Sequence, residues 1–424
     1  MYKSKRLFHQ IIAESRALRK FTSQQKGVTT KLVHPNFKLQ RALIITKLSR
    51  YEFEQLRHPD LNCDELEEVI RHRGTNYEAL LYLHNLNKDF ERKVVKCFQD
   101  VGCEVKLANR VEFRTSLSKE TMKWADVIVP VGGDGTFLLA AGRASPLFAQ
   151  SQQKTPIVGF NSDPERSEGR LMLPKHYSEC PEEAVAKIKS GDFKWMHRSR
   201  IRTSILGNNG KIPESTDLFR HTVCKMEQEK TEPEYLSKSM SKKYNAKMKR
   251  VLPYLALNEV FIGETLSARV SHMQLVIDHQ DIVNKIKCSG LCVSTGTGST
   301  SWHTSINRLT APSVKDLIRI LPEPCSKLKN IDAEAIAKQY NQNLLFAPDD
   351  PRICYSIREQ ICIGVWPSPK SFASRKFVKN LFLASRCFDA NLVIDGSISY
   401  PFNDGAKALL EVHPEDALLA ISLD

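Results

Sequence analysis

The sequence predicts a doubly wound, Rossmann-like α/β domain followed by a mostly-β, sandwich-like domain. Three observations carry that reading. As far as about Phe193, short apolar runs alternate with helix-like stretches, the pattern of a parallel sheet covered by helices. Beyond Tyr254, short apolar runs alternate with turn signals instead, the pattern of an antiparallel β domain. The stretch Val131-Gly132-Gly133-Asp134-Gly135-Thr136 lies between a strand-like and a helix-like run, at the strand end where open α/β sheets bind ligands.

The first domain is expected over 41–195. Ala42-Leu43-Ile44-Ile45 reads as a buried first strand. Asn62 with Glu65 starts a capped helix to about Arg73, and 77–99 reads as helical, with Gly102 just past its end. A strand at 103–107, a helix at 119–124 and a strand at 126–131 lead into the glycine loop, and 156–161 is a further apolar run. The second domain, 196–424, begins with a strand over 198–206. Residues 207–250 are polar and rich in Lys and Glu, a flexible insertion assigned no fold. Runs at 256–262, 273–277, 291–294, 353–357 and 392–394 then read as strands, interrupted by helical segments at 314–320 and 333–341.

The chain has 424 residues and a formal net charge of +14, enough length for two ordinary domains. Such a basic excess implies nucleic acid only where it lies on folded surface. Here residues 1–51 hold twelve Lys and Arg against Glu14 alone, and 225–250 hold eight against four acids. The remaining body is near neutral, which leaves no footprint for DNA or RNA. Residues 1–40, with Leu7, Phe8, Ile11, Ile12 and Leu18 on one helical face, read as a mitochondrial transit peptide or a disordered basic arm. No apolar stretch approaches the ~18 residues of a membrane span, so no stable membrane association is expected. The eleven cysteines form neither a disulfide framework nor a C-x-x-C pair, and the histidines show no ligand spacing. No protein-held metal is therefore expected, and Cys288 and Cys292 read as core thiols of a reducing compartment.

Three constellations carry chemistry. Around Asp134, glycines let main-chain N–H groups approach an anion, and the helix start favours negative charge by ~0.3–1 kcal/mol. A sharp strand-to-helix turn is the alternative. Asn258-Glu259 sits inside apolar Leu257, Val260, Phe261 and Ile262. A buried amide and carboxylate are costly unless paired, and either a nucleoside's hydroxyls or a neighbouring loop can pair them. Thr295-Gly296-Thr297-Gly298-Ser299-Thr300 follows the run Leu291-Cys292-Val293 and reads as a ligand loop or a linker. Asp395-Gly396, after Leu392-Val393-Ile394, reads first as a hairpin turn.

Together and in this order these stretches resemble the NAD kinase family, in particular its mitochondrial branch, from about Arg41 to the C-terminus. The carriers are Gly132-Gly133-Asp134-Gly135-Thr136, Asn258-Glu259 and Ser294-Thr295-Gly296-Thr297-Gly298-Ser299-Thr300. Between them lies the branch-specific Asn161-Ser162-Asp163-Pro164-Glu165-Arg166-Ser167-Glu168-Gly169. The resemblance implies transfer of the γ-phosphoryl of ATP to the 2′-hydroxyl of the adenosine ribose of NAD, with NADH as a further acceptor, giving NADP(H) in the mitochondrial matrix. It makes Asp134 the catalytic base and, with Gly135, part of the NAD site. Gly132, Gly133, Gly135 and Thr136 become the phosphate loop. Asn258, Glu259, Thr297, Gly298, Ser299 and Thr300 become dinucleotide contacts, with Ser289, Trp302 and Asp395 as further candidates. Arg166 and Arg170 are phosphate ligands or ion-paired surface arginines. Mg²⁺ is expected to arrive with ATP, and a homodimer is implied.

The chain departs from the family at several positions. Where many members carry Arg-Ser-Asp-Gly it has Lys287-Cys288-Ser289-Gly290, so a carboxylate becomes a hydroxyl. Gly296 stands for Pro and Trp302 for Tyr, and residues 163–169 replace the usual glycine-rich segment. Two rival readings remain. A lipid kinase of the diacylglycerol or sphingosine type shares the first loop but generally lacks the other two motifs. A catalytically silent dinucleotide-binding protein fits Ser289 but not the retention of Asp134.

Overall fold

The computed structural model describes residues 9–16, 37–115, 119–148, 154–206, 214–218, 249–320, 332–362 and 372–423. By its contacts the chain divides into two compact units. One covers Lys31–His197, Asp217–Ser241 and Leu418–Asp424, the other Met1–Thr30, Arg198–Thr216 and Lys242–Ala417. The sequence reading closes its first domain at 195, whereas the division by contacts falls after His197 and returns the C-terminal stretch from Leu418 to the α/β unit.

The α/β unit is built on β1 (Arg41–Thr46), β2 (Glu104–Asn109), β3 (Val127–Gly132) and β4 (Phe160–Asn161). They form a parallel sheet in the order β2-β1-β3-β4. Ala42, Ile44, Val127 and Val129 pack with Val94 and Phe98 of the helix Tyr77–Asp100 and with Ala184, Val185 and Ile188 of the helix Pro181–Ser190. Leu43, Ile45 and Ile128, one residue out of phase, are equally buried. Both faces are covered, which is why these strands read as continuous apolar runs. The Asn62–Glu65 capping box starts the helix Cys63–His72, and Gly102, at φ +76°, follows the end of Tyr77–Asp100. A helix at Arg50–Arg57, absent from the sequence reading, starts on a second capping box made by Ser49 and Glu52. Also unforeseen are β5 (Lys194–Arg198) and the last strand, Leu418–Ser422, which pair with each other. The last strand also bridges Ile157 in parallel through Ala420.

The β-rich unit contains β6 (Ile201–Leu206), β7 (Thr216–Asp217), β8 (Lys249–Val251), β9 (Glu259–Glu264), β10 (Ser271–Ile277), β11 (Asn284–Cys288) and β12 (Gly290–Ser294). It continues with β13 (Ile353–Arg358), β14 (Arg375–Val378), β15 (Asn380–Ser385), β16 (Ala390–Ile394), β17 (Ile398–Pro401) and β18 (Lys407–Val412). Two sheets result, β11-β10-β15-β18-β6-β8 and β14-β13-β12-β9-β16-β17-β7. Met273, Leu275, Leu383 and Leu410 of the first share one core with Val260, Leu291, Tyr355 and Leu392 of the second, which makes the expected sandwich. The helices Ala311–Arg319 and Ala333–Gln342 stand where helical segments were expected.

Residues 9–16, inside the segment read as leader or arm, are helical. Ile11 packs there with Val276, Phe382 and Leu409. The rest of that segment up to residue 36, and the 207–250 insertion apart from residues 214–218, 249 and 250, lie outside the described residues. Among the described residues no helix is long and apolar enough to cross a membrane.

Candidate active site

In the α/β unit the glycine loop joins β3 to the helix Asp134–Phe148. A Cβ on Gly132 would strike Thr136 Oγ1 and come within 3.0 Å of Lys47 Cβ, so glycine is what lets the helix begin against the strand end. Gly135 meets nothing within 4 Å and is exposed, so sterics do not demand it. Asp134 is half-buried, and its carboxylate accepts the main-chain N–H groups of Arg170 at 3.2 Å and Leu171 at 2.9 Å. The branch-specific stretch therefore lies on the loop. Ser162 N–H donates to Gly132 O at 2.9 Å, and Ser167 Oγ sits 3.5 Å from where a Gly133 Cβ would be. Both arginines offered as phosphate ligands are ion-paired: Arg166 with Asp163 at 3.6 Å and Arg170 with Glu168. Lys47, half-buried at the end of β1, has its ammonium pKa lowered, chiefly by burial and further by Arg166, with Asp163 opposing. No sequence motif marks it. Its place just after the first buried strand was the only available signal.

In the β-rich unit, Asn258-Glu259 enters β9, whose neighbours in the sheet are β12 and β16. Both side chains are buried, and Asn258 Oδ1 and Glu259 Oε2 have no hydrogen-bond partner among the described residues. Burial, then the charge of Asp395, raises the Glu259 carboxyl to about 8, with Ser301 opposing. The Asp395-Gly396 turn between β16 and β17 has positive φ at both residues, +45° and +62°. The Asp395 carboxylate accepts N–H groups from Leu257 at 2.7 Å, Asn258 at 2.8 Å and Glu259 at 3.1 Å. Its oxygens are thereby committed to the backbone of the Asn-Glu pair. Burial lifts its pKa to about 6 against those three bonds and the charge of Arg200.

The second glycine loop closes on the same pair. Thr295 N–H and Oγ donate to Asn258 O at 2.9 and 3.3 Å. Residues Thr297–Thr300 form a 3₁₀ turn. A Cβ on Gly298 would overlap the Asn258 carbonyl, and one on Gly296 the Ala347 carbonyl. Ser299 Oγ donates to Gly296 O at 2.6 Å and accepts Phe346 N–H at 3.3 Å, so this hydroxyl holds the loop together. Thr297 Oγ1 accepts from Arg198 at 3.4 Å, and Thr300 Oγ1 donates to Thr297 O at 3.4 Å. Ser289 Oγ accepts Arg358 Nε at 2.8 Å. The Arg358 guanidinium also lies 5.3 Å from the Phe261 ring centre and 5.8 Å from that of Trp302, and the two rings meet edge-on at 4.7 Å. The structure thus brings Ser289 and Trp302 together, with Trp302 still 44% exposed.

The arginines of this unit were missed by sequence reasoning. Arg200 and Arg202 are buried, and Arg202 pairs with Asp416 at 2.6 Å. Arg200 Nε donates to Asp416 O at 2.6 Å, and burial pushes its pKa down to about 10 while Asp416 and Asp395 oppose. Arg198 closes β5, Arg200 lies between the two strands and Arg202 is in β6. Three arginines in a short, otherwise uncharged stretch were the available signal, since cations buried there need carboxylate or carbonyl partners. Among the described residues no group of three His, Cys, Asp or Glu side chains could hold a metal ion.

No family model matches the chain. NAD kinase 2, mitochondrial, of Rattus norvegicus is 35% identical over 393 residues, covering 92% of this chain and 88% of that protein. The Homo sapiens protein of the same name is 35% identical over 393 residues, covering 92% and 85%. The solved structure of yeast NADH kinase complexed with NADH is similar at TM-score 0.50, with 12% identity over 92% of this chain and 85% of that one. That last likeness is one of fold. At the identity and coverage of the two mammalian proteins, the chain belongs to the NAD kinase family.

Proposed function

We propose that this chain is an NAD kinase. It transfers the γ-phosphoryl of ATP to the 2′-hydroxyl of the adenosine ribose of NAD, giving NADP and ADP. The observation that carries the reading is the buried pair Asn258 Oδ1 and Glu259 Oε2, which have no hydrogen-bond partner among the described residues. Each such atom costs about 1–3 kcal/mol unless a ligand supplies its hydrogen bond, and the hydroxyls of a nucleoside are suitable donors. Thr297 to Thr300 complete the dinucleotide contacts, and the exposed Trp302 ring, braced by Phe261 and Arg358, offers a stacking face for a base.

As the ribose oxygen forms its bond to the γ-phosphorus, the bond from that phosphorus to the bridging oxygen of ADP breaks. Asp134 takes the hydroxyl proton. Phosphoryl transfer needs positioning and charge neutralisation more than covalent help. Gly132, Gly133, Gly135 and Thr136 form the phosphate loop, in which Thr136 N–H is donated to Gly133 O at 2.8 Å and holds the turn, the glycines leave the backbone open to an anion, and Lys47 supplies a cation beside them. Mg²⁺ arriving with ATP would supply charge neutralisation, and this chain's contribution is the loop and its neighbouring cations. NADH serves as a further acceptor. Residues 1–40 act as the targeting segment for the mitochondrial matrix, and the protein works as a homodimer.

The test is direct. The purified protein is incubated with ATP, Mg²⁺ and NAD, and in parallel with sphingosine or diacylglycerol. NADP forms and no lipid phosphate does; lipid phosphorylation, or no NADP, overturns the reading. A reporter carrying residues 1–40 enters mitochondria, and a cytosolic signal refutes the targeting role. Sedimentation that gives a monomer mass refutes the dimer.

A further inference from the structure

Resting on the assignment of Asp134 as the base, we infer that residues 161–171 are a positioning device for its carboxylate, with Asn161 and Gly169 as the residues that set it. The two carboxylate oxygens are held separately: Oδ1 accepts Leu171 N–H at 2.9 Å and Oδ2 accepts Arg170 N–H at 3.2 Å. Two adjacent main-chain donors fix the rotation of the carboxylate plane, and hydrogen bonds to an ionised group are the strong kind. Each oxygen keeps further acceptor capacity for a substrate hydroxyl.

The donor dipeptide is itself held in shape. Asn161, 3% exposed, donates Nδ2 to Ser167 O at 2.9 Å and accepts Asp163 N–H on Oδ1 at 3.1 Å. Its one side chain thus ties the segment into a closed loop. Gly169 has φ +59° and lies against the Asn161 amide, where any Cβ would overlap Nδ2. Left-handed backbone and this close approach both require glycine. Both ends are anchored. Ser162 N–H donates to Gly132 O at 2.9 Å, Ser162 Oγ to Asn87 Oδ1 at 2.8 Å, and Leu173 N–H to Gly159 O at 2.8 Å. The charged side chains Glu165, Arg166, Glu168 and Arg170 are exposed. The constraint on Asp134 therefore comes from the main chain of the segment and not from its charges.

The experiment compares Asn161→Ala, Gly169→Ala, Asp134→Asn and the two double variants that include Asp134→Asn, all in the full chain. Asn161→Ala and Gly169→Ala lower kcat about 10- to 100-fold, the cost of a misplaced base. KM for NAD stays within about threefold, since binding is left to other residues. In the Asp134→Asn background neither change lowers kcat more than about twofold further, because a positioning residue has nothing left to position. Parental kcat in Asn161→Ala, losses that multiply in the double variants, or a KM that rises as kcat falls each overturn the inference. If Gly169→Ala does not fold, Asn161→Ala and Asn161→Ser carry the same comparison. An Asp134→Asn variant as active as the parent overturns the underlying assignment of the base, a separate outcome from failure of the positioning role.

Discussion

Glu259 and Asp395 are buried carboxyl groups joined through the same short stretch of backbone, and burial sets the protonation of both. The Glu259 carboxyl, at about 8 against its ordinary 4.5, keeps a proton in the fold that the unfolded chain releases. Its contribution to stability is whole below pH 4.5 and is lost progressively until the pH has passed about 8. Asp395, at about 6 against 3.8, acts in the same direction over a lower window. Glu259→Gln, which is neutral throughout, therefore loses less stability than the parent between pH 5 and 8. The gain at pH 8 is roughly 2–4 kcal/mol, read from urea unfolding at each pH, and parallel curves for parent and variant would refute it. Asn258→Ala tests the site from the ligand side. It removes one acceptor and raises KM for NAD about tenfold, one hydrogen bond's worth, with kcat changed much less. A KM unchanged by the substitution would separate Asn258 from the dinucleotide. Asp395→Asn turns an amide donor toward one of the three N–H groups that the carboxylate now accepts, and destabilises the chain by about 1–3 kcal/mol in thermal unfolding.

At the scale of elements, the two glycine loops differ in what they demand. The second is packed against carbonyl groups on both sides, Ala347 at Gly296 and Asn258 at Gly298. Alanine at either position costs about 1–3 kcal/mol or more as the backbone moves away. Alanine at Gly135, which faces open space, changes stability by less than about 0.5 kcal/mol. Urea melts of the three variants check the contrast, and equal losses would contradict it. Much at this scale was legible in the sequence. The strands of the parallel sheet announced themselves as unbroken apolar runs because both their faces are covered. The Asn62–Glu65 box placed its helix because its two hydrogen bonds are local. The Ser49–Glu52 box is equally local and equally readable, and the sequence reading passed over it. What no local pattern carries is the commitment of a side chain to a distant backbone. Asp395 reads as half of a hairpin turn, and it is one, but its carboxylate binds residues more than a hundred positions earlier. The Arg170-Leu171 amides on Asp134 are hidden for the same reason, since main-chain donors have no signature of their own.

For the molecule as a whole, the strand Leu418–Ser422 returns to the α/β unit from far along the chain. The last strand gives Ile157 two main-chain hydrogen bonds, from Ile157 N–H to Leu419 O at 3.0 Å and from Ile421 N–H to Ile157 O at 3.1 Å. Ile421 and Leu423 join the core of the α/β unit. Removing residues 418–424 strips two buried apolar side chains from that core, each contributing about 1.5–3 kcal/mol. The truncated chain then unfolds at lower urea concentration than the parent, and an unchanged midpoint would contradict the role of this strand. Ala417-Leu418-Leu419-Ala420-Ile421 is apolar and went unread as a strand, and its partner has no local signature because strand partners are set by tertiary packing. The central claim remains that a carboxylate on the first glycine loop serves phosphoryl transfer to NAD. Single-turnover NADP formation by Asp134→Asn, with NAD binding measured alongside, tests it most directly. The rate falls about 10²–10⁴-fold while NAD affinity stays within a few-fold of the parent. A variant that forms NADP at the parental rate would contradict the claim.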